Sequence, residues 1–193
     1  MASVCVFCGS SFGNDPALRD AAESLGRAIA AGGHQLVYGG GRVGLMGAIA
    51  DATLDAGGKV IGIIPEALEA REVAHTGLTE LVVTDSMHSR KQAMCDRSDG
   101  IVTLPGGYGT LDEVMEILTW NQIGTTRKPV AFLDVGGYYG KLFEFLDGAV
   151  EAGLINETHR SMAQRTTSVE EALAIASGPP PDIASKWTDP SVR

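Results

Sequence analysis

The residues best suited to chemistry in this 193-residue chain are Leu104-Pro-Gly-Gly-Tyr-Gly-Thr-Leu-Asp-Glu113. Gly106, Gly107 and Gly109 fall between an apolar run, Gly100-Ile-Val-Thr-Leu104, and a helical pattern that opens at Thr110. Glycines at a strand-to-helix turn let main-chain N–H groups close on an anion, and the helix start adds partial positive charge. Thr110 and Glu113 place a hydroxyl and a carboxylate within one helical turn of that cradle. Glu116 and Thr119 continue the Glu113 face at i+3 spacing. A phosphate seat beside a carboxylate suits chemistry on a phosphorylated small molecule. Thr110-Leu-Asp-Glu113 also reads as a capping box, in which threonine and glutamate satisfy each other's helix-end amides. A helix that needs only a cap has no use for three preceding glycines.

Met87-His-Ser-Arg-Lys91 reads as another helix start. Arg90 offers a planar fork to a phosphate and Lys91 a point charge; a solvated helix face is the ordinary alternative. Gly39-Gly-Gly-Arg-Val-Gly44 is a GxGxxG after a strand, but it follows the second strand and the acidic residue after the next strand comes late for a dinucleotide site. A turn serving a mononucleotide phosphate or close helix packing fits it better. No His, Cys and Asp spacing resembles a metal site.

The elements that must position these residues alternate. Apolar runs at 4–7, 35–38, 60–64, 80–84, 101–104 and 129–133 read as strands. Helical patterns fill 15–31, 45–56, 87–97, 110–123, 139–152 and 168–177, with a short turn of helix from Glu66 and an irregular stretch at 72–78. Strands apolar throughout and separated by helices predict an α/β fold: one doubly wound, Rossmann-like domain over 1–177 with a mainly parallel sheet flanked by helices. Ligands bind beyond the carboxyl ends of such strands, which places Gly9-Ser-Ser11, Gly39-Gly-Gly41 and Pro105-Gly-Gly107 on one edge. Residues 178–193, rich in proline, read as a flexible tail.

A net charge of −9 gives no basic field for nucleic acid or an anionic membrane, so a bound anion needs local donors. The apolar runs are too short to span a bilayer, and the N-terminus lacks the pattern of a signal peptide, so a cytoplasmic location is expected. Three cysteines make no disulfide framework. Cys5 and Cys8, three apart within a strand, are expected to face opposite sides of the sheet rather than form a redox pair.

Taken together, Pro105-Gly-Gly-Tyr-Gly-Thr-Leu-Asp-Glu113, Gly39-Gly-Gly41 with Gly44-Leu-Met-Gly47, Met87-His-Ser-Arg-Lys91 and Gly9-Ser-Ser11 resemble the landmarks of the Lonely Guy (LOG) family in order and spacing. The resemblance covers residues 3–177. It implies a cytokinin riboside 5′-monophosphate phosphoribohydrolase that cleaves the N-glycosidic bond of N6-modified AMP, with no cofactor and no metal. By position it implies Arg90 and Glu113 as the catalytic pair. Ser10, Gly41, Glu72, Met87, Arg90, Lys91, Gly106, Gly107, Tyr108, Gly109, Thr110, Leu111, Asp112, Glu116 and Thr119 would contact the nucleotide. It further implies a homodimer, with Arg97, Trp120 and Asn121 near the shared surface. The lysine decarboxylase label often given to relatives is not supported by any lysine in a cofactor-binding context. A molybdenum-cofactor-carrier-like protein that binds without hydrolysing is the alternative of another class.

Overall fold

A computed structural model describes residues 1–69 and 74–187. Its strands are β1 (Ser3–Phe7), β2 (Gln35–Tyr38), β3 (Lys59–Pro65), β4 (Glu80–Thr84), β5 (Gly100–Thr103), β6 (Val130–Leu133) and β7 (Ala163–Thr166). All are parallel, in the order β4-β3-β2-β1-β5-β6-β7. Parallel neighbours require crossovers. These carry α1 (Pro16–Ala31), α2 (Gly44–Asp55), α3 (Glu66–Glu69), α4 (Met87–Asp96), α5 (Tyr108–Ile123), α6 (Gly140–Glu151) and α7 (Glu157–Arg160); α8 (Val169–Ala176) follows β7.

Side chains alternate along each strand and feed two cores. Val4, Val6, Leu36, Tyr38 and Val102 pack with Leu25, Ile29, Ile49 and Ala172, under α1, α2 and α8. Cys5, Phe7, Val37, Ile63 and Phe132 pack on the other face with Met94, Val114, Ile117 and Phe143, under α4, α5 and α6. Cys5 and Cys8 fall in different cores, as their spacing requires.

The strand order reverses at one place. The chain runs outward from β1 through β4, then returns to pair β5 with β1, Val4 opposite Gly100 and Phe7 opposite Thr103. The loops leaving β1 and β5 therefore diverge and open a crevice at their carboxyl ends.

Two elements lie outside the sequence expectation. β7, Ala163-Gln-Arg-Thr166, is a short edge strand with only its first and last residues buried, so it carries no apolar run. The four-residue α7 is equally faint. One boundary moves with consequence: α5 begins at Tyr108 with Gly107 as its N-cap, so Thr110 does not cap it and the capping box does not form. The C-terminal segment touches the domain, since Lys186 N donates to the Gln122 carbonyl (2.7 Å) and the His159 ring hydrogen-bonds with the Ala184 carbonyl (3.1 Å).

Candidate active site

Main-chain bonds join the turns at the β1–β5 reversal. Gly9 N donates to the Pro105 carbonyl (3.1 Å), and Leu45 N at the start of α2 donates to the Gly9 carbonyl (3.1 Å). Beside them opens a cleft of ≈ 250 Å³, lined by Cys8, Gly9, Ser10, Met46, Leu68, Met87, Arg90, Gly107, Tyr108, Gly109, Thr110, Asp112 and Glu113. A larger depression of ≈ 530 Å³ between α1 and α2 lies away from the strand ends. Of its lining charges, Arg19 and Arg27 pair with Glu23, and Asp51 pairs with His75.

The start of α5 makes one wall. Among the described residues no side chain caps α5, as none caps α2 or α6, whereas α1, α4, α7 and α8 are capped from Asp15, Ser86, Asn156 and Ser168. The first N–H groups of a helix have no intrahelical acceptor, and its dipole favours an anion there. Gly106 is required ahead of this start, because a Cβ there would lie 2.1 Å from the Thr110 hydroxyl. Tyr108, at the first helical position, projects into solvent at 96% exposure on the rim of the cleft.

Arg90 and Glu113 make the floor. Arg90 is only 5% exposed, on an α4 whose start is fixed by a reciprocal capping box between Ser86 and Ser89. Its Nε donates to the Ile63 carbonyl (3.0 Å) and its Nη2 to the Gly39 carbonyl (2.9 Å). Nη1 lies 3.8 Å from Glu113 Oε1, whose side chain is 12% exposed. The glycine at position 39 leaves room for this: a Cβ there would stand 2.2 Å from Nη2. So the Gly39-Gly-Gly41 turn receives an arginine, a use that close packing explains and a dinucleotide fingerprint does not. The Cys8 thiol is pushed far up, chiefly by burial and then by the charge of Glu113.

Of the residues expected at the site, Ser10, Met87, Arg90, Gly107, Tyr108, Gly109, Thr110, Asp112 and Glu113 meet at the cleft. Glu72 lies outside the described residues. Lys91 does not itself line the cleft; following Arg90 on α4, it pairs across to α5 with Asp112 Oδ2 (3.0 Å), at the cleft edge, and Glu116 Oε2 (3.1 Å). Thr119 bonds back to the Met115 carbonyl (2.7 Å) and is exposed. Leu111 packs into the core beneath α5, and buried Gly41 bridges Ala74. Cys8, Met46 and Leu68 also line the cleft. The first follows from its place just beyond β1; the other two carry no polar signal.

A family model described as "Possible lysine decarboxylase" matches residues 46–175. Cytokinin riboside 5′-monophosphate phosphoribohydrolase LOG1 of Arabidopsis thaliana is 46% identical over 170 residues, spanning 88% of this chain and 80% of its own length. The chain belongs to the Lonely Guy family. Probable cytokinin riboside 5′-monophosphate phosphoribohydrolase LOGL9 of Oryza sativa subsp. japonica is 50% identical over 159 residues, covering 82% of this LOG chain and 70% of its own. Among solved structures, the molybdenum cofactor carrier protein of Chlamydomonas reinhardtii superposes with a TM-score of 0.68 at 24% identity, over 90% of this chain and 94% of that one. DNA processing protein A of Streptococcus pneumoniae does so at 0.61 and 14%, over 93% and 63%. Both show the fold alone.

The decarboxylase wording of the family model does not fit the site. A pyridoxal enzyme of that kind needs a lysine to hold its cofactor as a Schiff base. No lysine is among the described residues that line the cleft. Lys91 is paired with two carboxylates, Lys128 Nζ donates to the Ser98 carbonyl, and Lys59, Lys141 and Lys186 are exposed.

Proposed function

We propose that this LOG chain hydrolyses the N-glycosidic bond of adenosine 5′-monophosphates, N6-modified ones and AMP among them, releasing the free base and ribose 5-phosphate. The observation that carries it is the pairing of Arg90 with Glu113 on the floor of a cleft whose wall is the uncapped start of α5. Glu113 stands six residues past the N-cap, about 9 Å along the axis at the α-helical rise, which suits a ribose 5-phosphate laid along the helix. The phosphate takes the amides of the helix start, which sets the sugar beside the carboxylate.

Cleavage builds oxocarbenium character at C1′ and negative charge on the departing purine. The Glu113 carboxylate stabilises the cation or activates the attacking water, and Arg90 holds Glu113 in place and offsets negative charge in the cleft. Both groups are desolvated enough for these charges to count. The activity for which the relatives are named agrees with this chemistry.

The same reading takes the protein as a cytoplasmic homodimer that binds neither nucleic acid nor membrane. The family resemblance supports the dimer, and Trp120 is available to it in an open groove with His88 and Lys128. Asn121 is not, since its buried amide is closed on the Lys128 main chain (2.8 and 2.9 Å). No helix among the described residues is long and apolar enough to cross a membrane.

The test is chromatography of the purified protein incubated with AMP and with N6-isopentenyl-AMP. Release of base and ribose 5-phosphate, abolished in Glu113→Gln, is the expected result. Nucleotide recovered intact from both incubations would refute hydrolysis and favour a carrier.

A further inference from the structure

Hydrogen bonds on the Leu104–Gly106 main chain alternate between two neighbours. Leu104 N donates to Phe7 in β1 (2.9 Å), and the Leu104 carbonyl, on the opposite side, accepts from the Tyr139 hydroxyl (2.6 Å). The Pro105 carbonyl turns back toward β1 and accepts from Gly9 N (3.1 Å). The Gly106 carbonyl again faces the β6 side and accepts from the Tyr138 hydroxyl (2.6 Å). A trans peptide sets each C=O antiparallel to the N–H that follows, and the described chain has no cis bond. Holding the Gly106 oxygen toward β6 therefore turns the Gly107 N–H toward β1, where the cleft lies.

The two phenols are themselves braced. Tyr139 is buried, its main-chain N–H donates to Asp134 Oδ1 (2.8 Å), and Asp134 Oδ2 accepts from Arg165 Nε (2.6 Å). Its ring stands edge-on to Phe132 (5.1 Å between centroids), and Tyr138 stands edge-on to it in turn (5.1 Å). Tyr138 is 52% exposed, so its ring contributes little to the core and its hydroxyl has water as a ready alternative partner. Its bond to Gly106 is local in effect: it orients one peptide of the glycine loop.

We propose that Tyr138 and Tyr139 are positioning residues of the phosphate seat, clamping the Gly106 and Leu104 carbonyls so that the Gly107 N–H and the start of α5 face the 5′-phosphate. The proposal rests on the nucleotide reading of the cleft. Neither phenol touches the nucleotide; each acts through the loop.

Calorimetric titration of the full chain with ribose 5-phosphate, which a hydrolase cannot consume, and with adenosine, which lacks the phosphate, tests it. Tyr138→Phe removes only the hydroxyl. It is expected to weaken ribose 5-phosphate binding about tenfold, leave adenosine binding unaltered and move Tm by less than about 3 °C. Tyr139→Phe, in the core, is expected to lower Tm as well, yet still to weaken the phosphate ligand more than the nucleoside. Unchanged ribose 5-phosphate affinity in Tyr138→Phe, equal weakening of both ligands, or a wild type that does not bind ribose 5-phosphate would each overturn the clamp. A wild type that binds ribose 5-phosphate but releases no base from nucleotides would instead refute hydrolysis and leave the clamp to be judged on binding.

Discussion

Glu113 Oε1 lies 3.8 Å from Nη1 of Arg90, while the other two guanidinium nitrogens are each held by a main-chain carbonyl, Ile63 and Gly39. The arginine is thus fixed by the scaffold, and the carboxylate is aligned against it. That asymmetry separates the consequences of changing each partner.

Glu113→Gln keeps the shape of the side chain and removes its charge. Turnover is expected to fall at least about a hundredfold, the scale of one acid–base or electrostatic group. No side-chain cap is lost, because Gly107 is the N-cap. Parallel assays of base release and of thermal unfolding check this; near-normal turnover would remove Glu113 from the chemistry.

Arg90 is expected to matter for folding as well as for turnover. Arg90→Ala leaves two buried carbonyls without their donor and takes a buried charge from beside Glu113, a loss of about 3–5 kcal/mol on the scale of broken buried pairs. Gly39→Ala probes the same place more gently, since its Cβ would collide with Nη2 at 2.2 Å. Displacing the guanidinium in this way is expected to cut turnover about tenfold or more, by misplacing a group at the reacting centre. Denaturant unfolding and steady-state kinetics of the two variants distinguish scaffold loss from misplacement.

Lys91 is expected to behave as a strut between α4 and α5. Burial alone would lower its pKa, but contact with Asp112 and Glu116 outweighs this and raises it above the ordinary lysine value. A raised folded-state value gives stability that is complete below the ordinary lysine range and is lost as pH rises through the folded value. Lys91→Met is therefore expected to cost about 1 kcal/mol or less at neutral pH. The deficit should shrink in strong alkali, with KM within about threefold of wild type if the bridge is purely structural. A KM raised beyond about tenfold with Tm unchanged would return Lys91 to the substrate.

Cys5, Cys8 and Cys95 are buried, and burial raises all three thiols; Glu113 adds to the effect at Cys5 and Cys8. Thiolate is the reactive form. Iodoacetamide at pH 8 is expected to leave the native protein unmodified and to label three sites after unfolding. Rapid labelling of Cys8 in the native state would contradict its environment.

How much of this was legible in the sequence depends on distance along the chain. Uniformly apolar strands such as Leu36-Val-Tyr38 and Val130-Ala-Phe-Leu133 announce a parallel sheet, and the glycine loop before Tyr108 announces an anion seat. The sequence pattern puts the start of α5 two residues late, because glycine as N-cap carries no cap side chain to mark it. β7 carries no apolar signal because its Gln164 and Arg165 are exposed. Nothing in the Arg90-Lys91 pair tells which cation is sunk among carbonyls and which spans two helices. That is decided by Gly39 and Ile63, dozens of residues away, and by the register of β2 and β3. The hydroxyls of Tyr138 and Tyr139 were silent for the same reason.

Arg90 also acts as a knot in the chain's folding. One side chain ties the end of β2, the middle of β3 and the body of α5 to α4. Segments joined through a single buried cation cannot open separately without stranding a charge. Amide hydrogens in these four segments are therefore expected to exchange as one cooperative unit, slower than the edge strands β4 and β7. The protein would then lose its chemistry and its central structure in the same fluctuation, leaving no partly open state that keeps either.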